Sequence, residues 1–140
     1  MDFAQLFSFN GRQRRMTFWL IAIVISIINS VVYSMTIGPV YMAALAGHPA
    51  AGGFGIGGIL GSVVTLVLFW VSLANAVKRC HDRDKSGWWL LLYWLVSLTI
   101  IGLIWPLIEL GILDGTPGPN RFGPSPKGVT GPAPIAPAAT

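Results

Sequence analysis

Cys80 and His81 are adjacent, Asp82 and Asp84 alternate with basic residues, and Ser86-Gly87 follow in the same short run. A thiolate beside a base, a metal-ligand pair and a cation loop all have their first residues here. Asp82, Asp84, Ser86 and Gly87 match the opening D-x-D-x-S-G of a calcium loop, where alternate side chains supply oxygens and glycine permits a sharp turn. The twelfth position of that loop, which needs a bidentate glutamate, falls on Tyr93, and Arg83 and Lys85 would repel a divalent cation, so no metal site is expected. Adjacent residues diverge by about 100° on a helix, and no second Cys-His pair exists to complete a zinc set. Cationic neighbours can lower a thiol's pKa, yet a lone interfacial cysteine is expected to be inert. No G-x-S-x-G, H-E-x-x-H, P-loop or C-x-x-C pattern occurs. A hydrolase built on His81 and Asp82 has only Cys80 or Ser86 as a nearby nucleophile, so no catalytic residue and no cofactor is expected.

Glu109 is a different kind of candidate. An ionisable group inside or at the edge of an apolar segment is by default a functional hypothesis. It either reaches water or, if the chain folds back, pairs with Arg121 or the arginines of the 78–87 segment. Transport needs a mid-membrane carboxylate with broken helices or inverted repeats; with Glu109 alone, it would require oligomerisation.

The elements that must position these residues are apolar. In KRCHDRDK, Lys78 to Lys85, every residue but Cys80 is charged or chargeable, whereas Met16–Val77 holds no Lys, Arg, Asp or Glu, and Ser86–Ile108 is again uncharged. Hydrophobic residues make up 54% of 140, charged residues 10%, and the mean hydropathy is +0.68; soluble domains carry about 25% charged residues. An all-α, integral membrane bundle follows. An apolar helix needs about 20 residues to cross about 30 Å of hydrocarbon, and three stretches qualify, at about 17–37, 55–77 and 88–110. Gly38-Pro39 stops the first. Trp88, Trp89, Trp94 and Trp105 place aromatic residues towards both ends of the third, as in an interfacial belt. Residues 1–126 read as one transmembrane domain, and 127–140 as a disordered Pro/Gly/Ala-rich tail.

Lysine and arginine counts set the orientation. Three precede the first span (Arg12, Arg14, Arg15), none lies between the first two, and four follow the second (Lys78, Arg79, Arg83, Lys85), so the N-terminus and loop 78–87 are expected on the cytoplasmic side of the membrane. Three spans then leave the tail outside. The alternative is four, with Gly102 and Pro106 breaking 88–113 into a short helical hairpin that returns the tail to the cytoplasm. The first apolar run is too long for a cleaved signal peptide and is read as a retained span.

The net charge of +4 and pI near 9.7 are assigned to orientation and to anionic headgroups, not to nucleic acid. One cysteine excludes an intramolecular disulfide. Asn29 and Asn75 are intramembrane polar groups able to hydrogen-bond between helices. Gly57 and Gly61 make a small-xxx-small pair that serves either internal packing or a homo-oligomer face.

Three segments, FNGRQRRMTFW (Phe9–Trp19), RCHDRDKSGWWLLL (Arg79–Leu92) and GTPGPNRFGPSP (Gly115–Pro126), together resemble the domain of unknown function 805 family of small bacterial inner-membrane proteins. The matching positions are Phe9, Gly11, Arg12, Arg15, Phe18 and Trp19; Arg79, His81, Asp82, Ser86, Gly87 and Trp88; and Pro117, Gly118, Asn120, Arg121, Phe122, Gly123 and Pro124. The resemblance implies location and architecture, not an activity. Physically, Arg12 and Arg15 beside Phe18-Trp19 suit headgroup anchors at the start of a span. The Phe3, Leu6, Phe7 segment suits a short interfacial stretch. Ser86 or Asp84 is placed to cap the third helix, with Asp82 favouring its N-terminal dipole. A cytoplasmic tail would let Arg121 pair with Asp82 or Asp84. The expected function is a non-enzymatic accessory, regulatory or structural membrane component with a basic cytoplasmic face and a lipid, homo-oligomer or membrane-protein partner; the alternative is a subunit of a small-solute transporter or channel.

Overall fold

The computed structural model describes residues 3–47 and 55–128. His48, with the rest of 48–54, and the expected disordered tail after Gly128 lie outside the described residues. The order is a 3-10 turn (Phe3–Leu6), α1 (Arg15–Thr36), α2 (Gly38–Leu45), α3 (Ile56–Asp82), α4 (Trp89–Val96), α5 (Ile100–Pro106) and a π-helical turn (Leu107–Ile112). Among the described residues there is no strand, and one isolated bridge pairs Asn120 with Gly123.

α1 and α3 are the two helices long and apolar enough to cross a membrane, with 22 and 27 residues, or about 33 and 40 Å at 1.5 Å per residue. Only 6% of the most apolar stretch of either is buried, which separates them from the core helices of a soluble protein. Leu20, Ile27, Leu66 and Phe69 are exposed, as lipid-facing side chains are. α1 stops one residue before Gly38-Pro39, because Pro39 has no N–H to donate to the Met35 carbonyl four residues back; α2 starts with that proline in its first turn.

α3 does not end near Val77. Lys78–Asp82 are its last residues, so most of the expected charged loop is helical. Cations are favoured at a helix C-terminus by the macrodipole, and Arg79 and His81 occupy the last turn. The helix closes at Asp84, which has a left-handed φ of 58°. Lys85 N–H bonds Cys80 O at 2.9 Å and Asp84 N–H bonds His81 O at 3.0 Å. These are the paired bonds of a Schellman closure with aspartate where glycine is usual.

The stretch 88–110 is not one continuous span. α4 has 8 residues and α5 has 7, about 12 and 10 Å, less than half the hydrocarbon thickness each. Between them Thr99 is extended and its side chain accepts from Gly102 N–H at 3.1 Å, capping α5. The chain then returns antiparallel: the Tyr93 and Trp105 rings lie 5.6 Å apart and Lys85 reaches Glu109. This is the short hairpin weighed as the alternative, but it turns at Ser97–Thr99, not at Gly102–Pro106. Gly102 lets the two helices touch, since a Cβ there would overlap the Val96 carbonyl, and Pro106 ends α5 where the π-helical turn begins. Neither Ser86 nor Asp84 caps α4, whose N-cap residue Trp88 makes no side-chain cap bond. Its first N–H groups go to the backbone carbonyls of Ser86, Gly87 and Trp88.

The chain divides into two compact units, Met1–Leu20 with Leu73–Thr140, and Ile21–Ser72. The first is centred on buried Cys80, Tyr93 and Leu110, with Phe18, Trp89 and Leu90 packed around them. In the second, a Cβ at buried Gly61 would overlap Thr36 Cγ2, whereas Gly57 has open space. Gly61 is therefore used for packing α1 on α3.

Candidate functional site

Asp82, in the last turn of α3, is the centre of a buried network in the first unit. Its Oδ1 lies 3.0 Å from Arg12 Nη2, its Oδ2 accepts from Arg79 Nη1, and these side chains are 4%, 1% and 1% exposed. Two guanidiniums on one carboxylate leave an excess positive charge, and backbone carbonyls absorb it. Arg12 donates to Gly118 O at 2.6 Å and Thr116 O at 2.7 Å. Arg79 donates to Leu110 O at 2.7 Å and to Leu113 O. Burial of this kind is tolerated only where every polar atom is partnered, and among the described residues no buried side-chain nitrogen or oxygen lacks a hydrogen bond.

The Gly115–Pro126 segment is folded onto the end of α3. Thr116 N–H bonds Asp82 O at 2.8 Å. Asn120 Nδ2 donates to His81 O at 2.9 Å and to Thr116 Oγ1 at 3.0 Å, while its Oδ1 accepts from Phe122 N–H at 2.9 Å. The Phe122 ring stacks on His81 at 3.9 Å and 5°. Arg121 pairs with Asp84 at 3.2 Å. Of the two aspartates expected for Arg121, Asp84 takes the arginine, and Asp82 serves Arg12 and Arg79 instead of a helix dipole.

Glu109, in the π-helical turn and 9% exposed at its side chain, pairs with Arg83 at 2.8 Å and with Lys85. The partners are arginine and lysine of the 78–87 segment, not Arg121. Lys85 also lies 4.4 Å over the Trp89 ring and 3.3 Å from Tyr93 Oη. Burial opposes the Lys85 charge, but the hydrogen bonds to Glu109 and Tyr93 outweigh it and hold its pKa above the ordinary lysine value. At the rim, Lys127 bonds Asp114 at 2.9 Å and holds that carboxyl below its usual range.

The same unit uses most of the other singled-out residues. Trp19 Nε1–H donates to Gly111 O at 3.0 Å, and Arg15 to Ile112 O at 3.1 Å. Buried Asn75 donates to Phe18 O at 3.1 Å and accepts from Gln13. Ser86 contributes its backbone carbonyl, Gly87 packs near Val77, and Trp88 is exposed. Asn29 lies in the other unit, along an open groove of about 1170 Å³ with Ser26, Ser30, Tyr33 and Thr65.

Chemically, the arrangement keeps Cys80 and His81 apart in purpose. Cys80 is fully buried in the apolar centre, while His81 is held by Phe122 and by Gly11 O at 3.2 Å. Both Asp82 oxygens are occupied by guanidiniums, and among the described residues no three His, Cys, Asp or Glu side chains converge. Sequence reasoning missed Gln13, Thr116 and Lys78 as structural partners. Thr116 and Gln13 lie inside quoted motifs, and a polar side chain between two basic anchors was the available signal.

Residues 6–124 match the family model described as a protein of unknown function, DUF805. The chain belongs to the DUF805 family. The inner membrane protein YhaH of Escherichia coli strain K12 is 33% identical to this DUF805 chain over 119 residues, 85% of this chain and 87% of that relative. The inner membrane protein YhaI of the same strain is 32% identical over 119 residues, 85% and 86% of the two chains. The uncharacterized protein YiiR of that strain is 27% identical over 139 residues, 84% and 85%. No solved structure matches the DUF805 chain. Two apolar helices and inner-membrane relatives together support an inner-membrane location.

Proposed function

We propose that this DUF805 protein is a non-enzymatic accessory or regulatory component of the bacterial inner membrane. In this reading α1 and α3 cross the bilayer, the 88–112 hairpin dips into one face and returns, and the N-terminal segment, the end of α3 and the Gly115–Pro126 segment form one cytoplasmic cap. The observation that carries it is the placement of charge. All nine lysines and arginines lie in 12–15, 78–85 and 121–127, and hydrogen bonds join these segments in one unit. That is the distribution the positive-inside rule favours for a single side. Exposed apolar residues of the hairpin, among them Trp88, Leu91, Trp94 and Leu98, suit contact with lipid.

The cap's polar groups are spent on one another and on carbonyls, which supports a binding or scaffolding surface over a reaction centre. Exposed Arg14, Arg15, Arg121 and Lys127 give it a basic outer face for a membrane-protein partner. Cross-linking in native membranes followed by purification is expected to recover one stoichiometric partner, reduced in a variant with Arg14 and Arg121 changed to Gln. Recovery of the chain alone, or of the same proteins from that variant, would rule the reading out.

A second reading, a subunit of an oligomeric small-solute transporter, draws on the groove where Ser26, Asn29, Ser30, Tyr33 and Thr65 bring polar groups to otherwise apolar helices. It requires flux in liposomes that Asn29→Leu abolishes.

A further inference from the structure

A cavity of about 360 Å³ in the first unit is lined by Gln5, Asn10, Gln13, Arg14, Thr17 and Lys78, among others. It lies where α1 begins and α3 makes its last turns. Lys78 is only 6% exposed. Its ammonium donates to Gln5 O at 2.6 Å, and among the described residues no carboxylate lies within ion-pair distance of it. An ammonium has three donors, and a buried charge without a counter-charge is costly. Arg14, another lining residue, donates to Pro126 O and likewise has no carboxylate partner among the described residues.

The start of α1 adds to the imbalance. Its first turn contains no acidic residue, so arginines stand at the positive end of the helix dipole, where anions are favoured and cations are not. Arg12, which also lines the cavity, is neutralised by Asp82; among the described residues no carboxylate does the same for Arg14 or Lys78. Thr17 and Asn10 bring further polar side chains, and Leu6 an apolar edge. These donors suit an anion with several acceptor oxygens, and they stand next to the ends of two helices able to span a bilayer.

We infer that this cavity binds the phosphodiester of an anionic glycerophospholipid headgroup, with Lys78 and Arg14 as its charged contacts. The inference rests on the reading that this end of α1 and α3 lies at the bilayer surface, and it names the lipid partner of the basic cap. A lipid phosphate oxygen can accept from the Lys78 ammonium, and charge-assisted hydrogen bonds of this type are about twice as strong as neutral ones.

The test is lipid retention by the full chain in detergent, read by native mass spectrometry after exposure to equimolar phosphatidylglycerol and phosphatidylcholine. The expected result is preferential retention of one phosphatidylglycerol, weakened about tenfold or more in Arg14→Gln and in Lys78→Met, and unchanged in Lys127→Gln, which removes a cation outside the cavity. Arg14 is exposed, so its variant remains informative if Lys78→Met does not fold. Equal retention of the two lipids, or undiminished retention by Arg14→Gln, would overturn the proposal. Inorganic phosphate alone that protects the protein as well as the lipid would overturn the lipid assignment in favour of a free anion. Retention in detergent does not depend on sidedness, so failure of the cytoplasmic placement would appear in topology measurements while this result stood.

Discussion

Arg12 and Asp82 are 70 positions apart in the chain and 3.0 Å apart at their charged atoms, with both side chains almost wholly buried. This pair joins the segment before α1 to the end of α3, and through Thr116 and Gly118 to the C-terminal motif. Removing one partner of a buried ion pair typically costs about 3–5 kcal/mol. Asp82→Asn is expected to lower stability by that order, measured by equilibrium unfolding in detergent. A loss below about 1 kcal/mol, the scale of an exposed pair, would contradict the buried network.

The neighbouring aspartate gives the contrast. Asp84 and Arg121 are roughly half exposed, and such pairs contribute about 0.2–1 kcal/mol. Asp84→Asn and Arg121→Gln are each expected to change stability by no more than this, in the same unfolding assay.

Gly115 packs so closely on Asp82 that a Cβ would overlap the carboxylate. Gly115→Ala must displace Asp82 from its guanidiniums, and overpacking costs about 1–3 kcal/mol. Additivity separates this from an independent effect: in the Asp82→Asn background the cost of Gly115→Ala should differ from its cost in the native chain, as contacting residues do.

Glu109 and Lys85 make stability depend on pH on the alkaline side. Lys85 has a folded pKa raised above its unfolded value, so its contribution is complete below the unfolded pKa of about 10.4 and is lost as pH rises through the folded value. Glu109→Gln is expected to lower the melting temperature near neutral pH and to flatten that alkaline loss. Asp114 works in the opposite sense. Its carboxyl is depressed, first by the bond from Lys127, so its contribution is present above about pH 3.9 and disappears as pH falls through the folded pKa. Lys127→Gln should reduce the acid-side dependence, read from melting curves across the same buffers.

Much of the framework was legible because it rests on continuous composition. α1 and α3 are uncharged over a membrane's thickness, and Pro39 ends α1 by a local rule. Arg12, Arg79, Asp82, Asn120, Arg121 and Phe122 stood out as motif residues, and the structure brings them together. The turn at Ser97–Thr99 was not legible. Leu98 and Thr99 continue the apolar run, and the break depends on Thr99 accepting from Gly102, with Val96 against Gly102. A glycine and a proline further on drew the expectation to the wrong residues. Lys78–Asp82 looked like a loop because they are charged, but the dipole and the carbonyls of 110–113 accommodate arginine within the helix. Gln13 and Lys78 owe their roles to long-range pairing, which no local pattern encodes.

In the proposed topology the three charged segments share one side of the membrane. Reporters active on opposite sides, fused in parallel at Thr140, test it most directly. Activity of the cytoplasmic reporter alone is the expected result, since Arg121 and Asn120 are bonded to the end of α3 and the hairpin helices are too short to cross. Activity of the external reporter alone would place the tail across the membrane from Lys78–Lys85 and contradict the account.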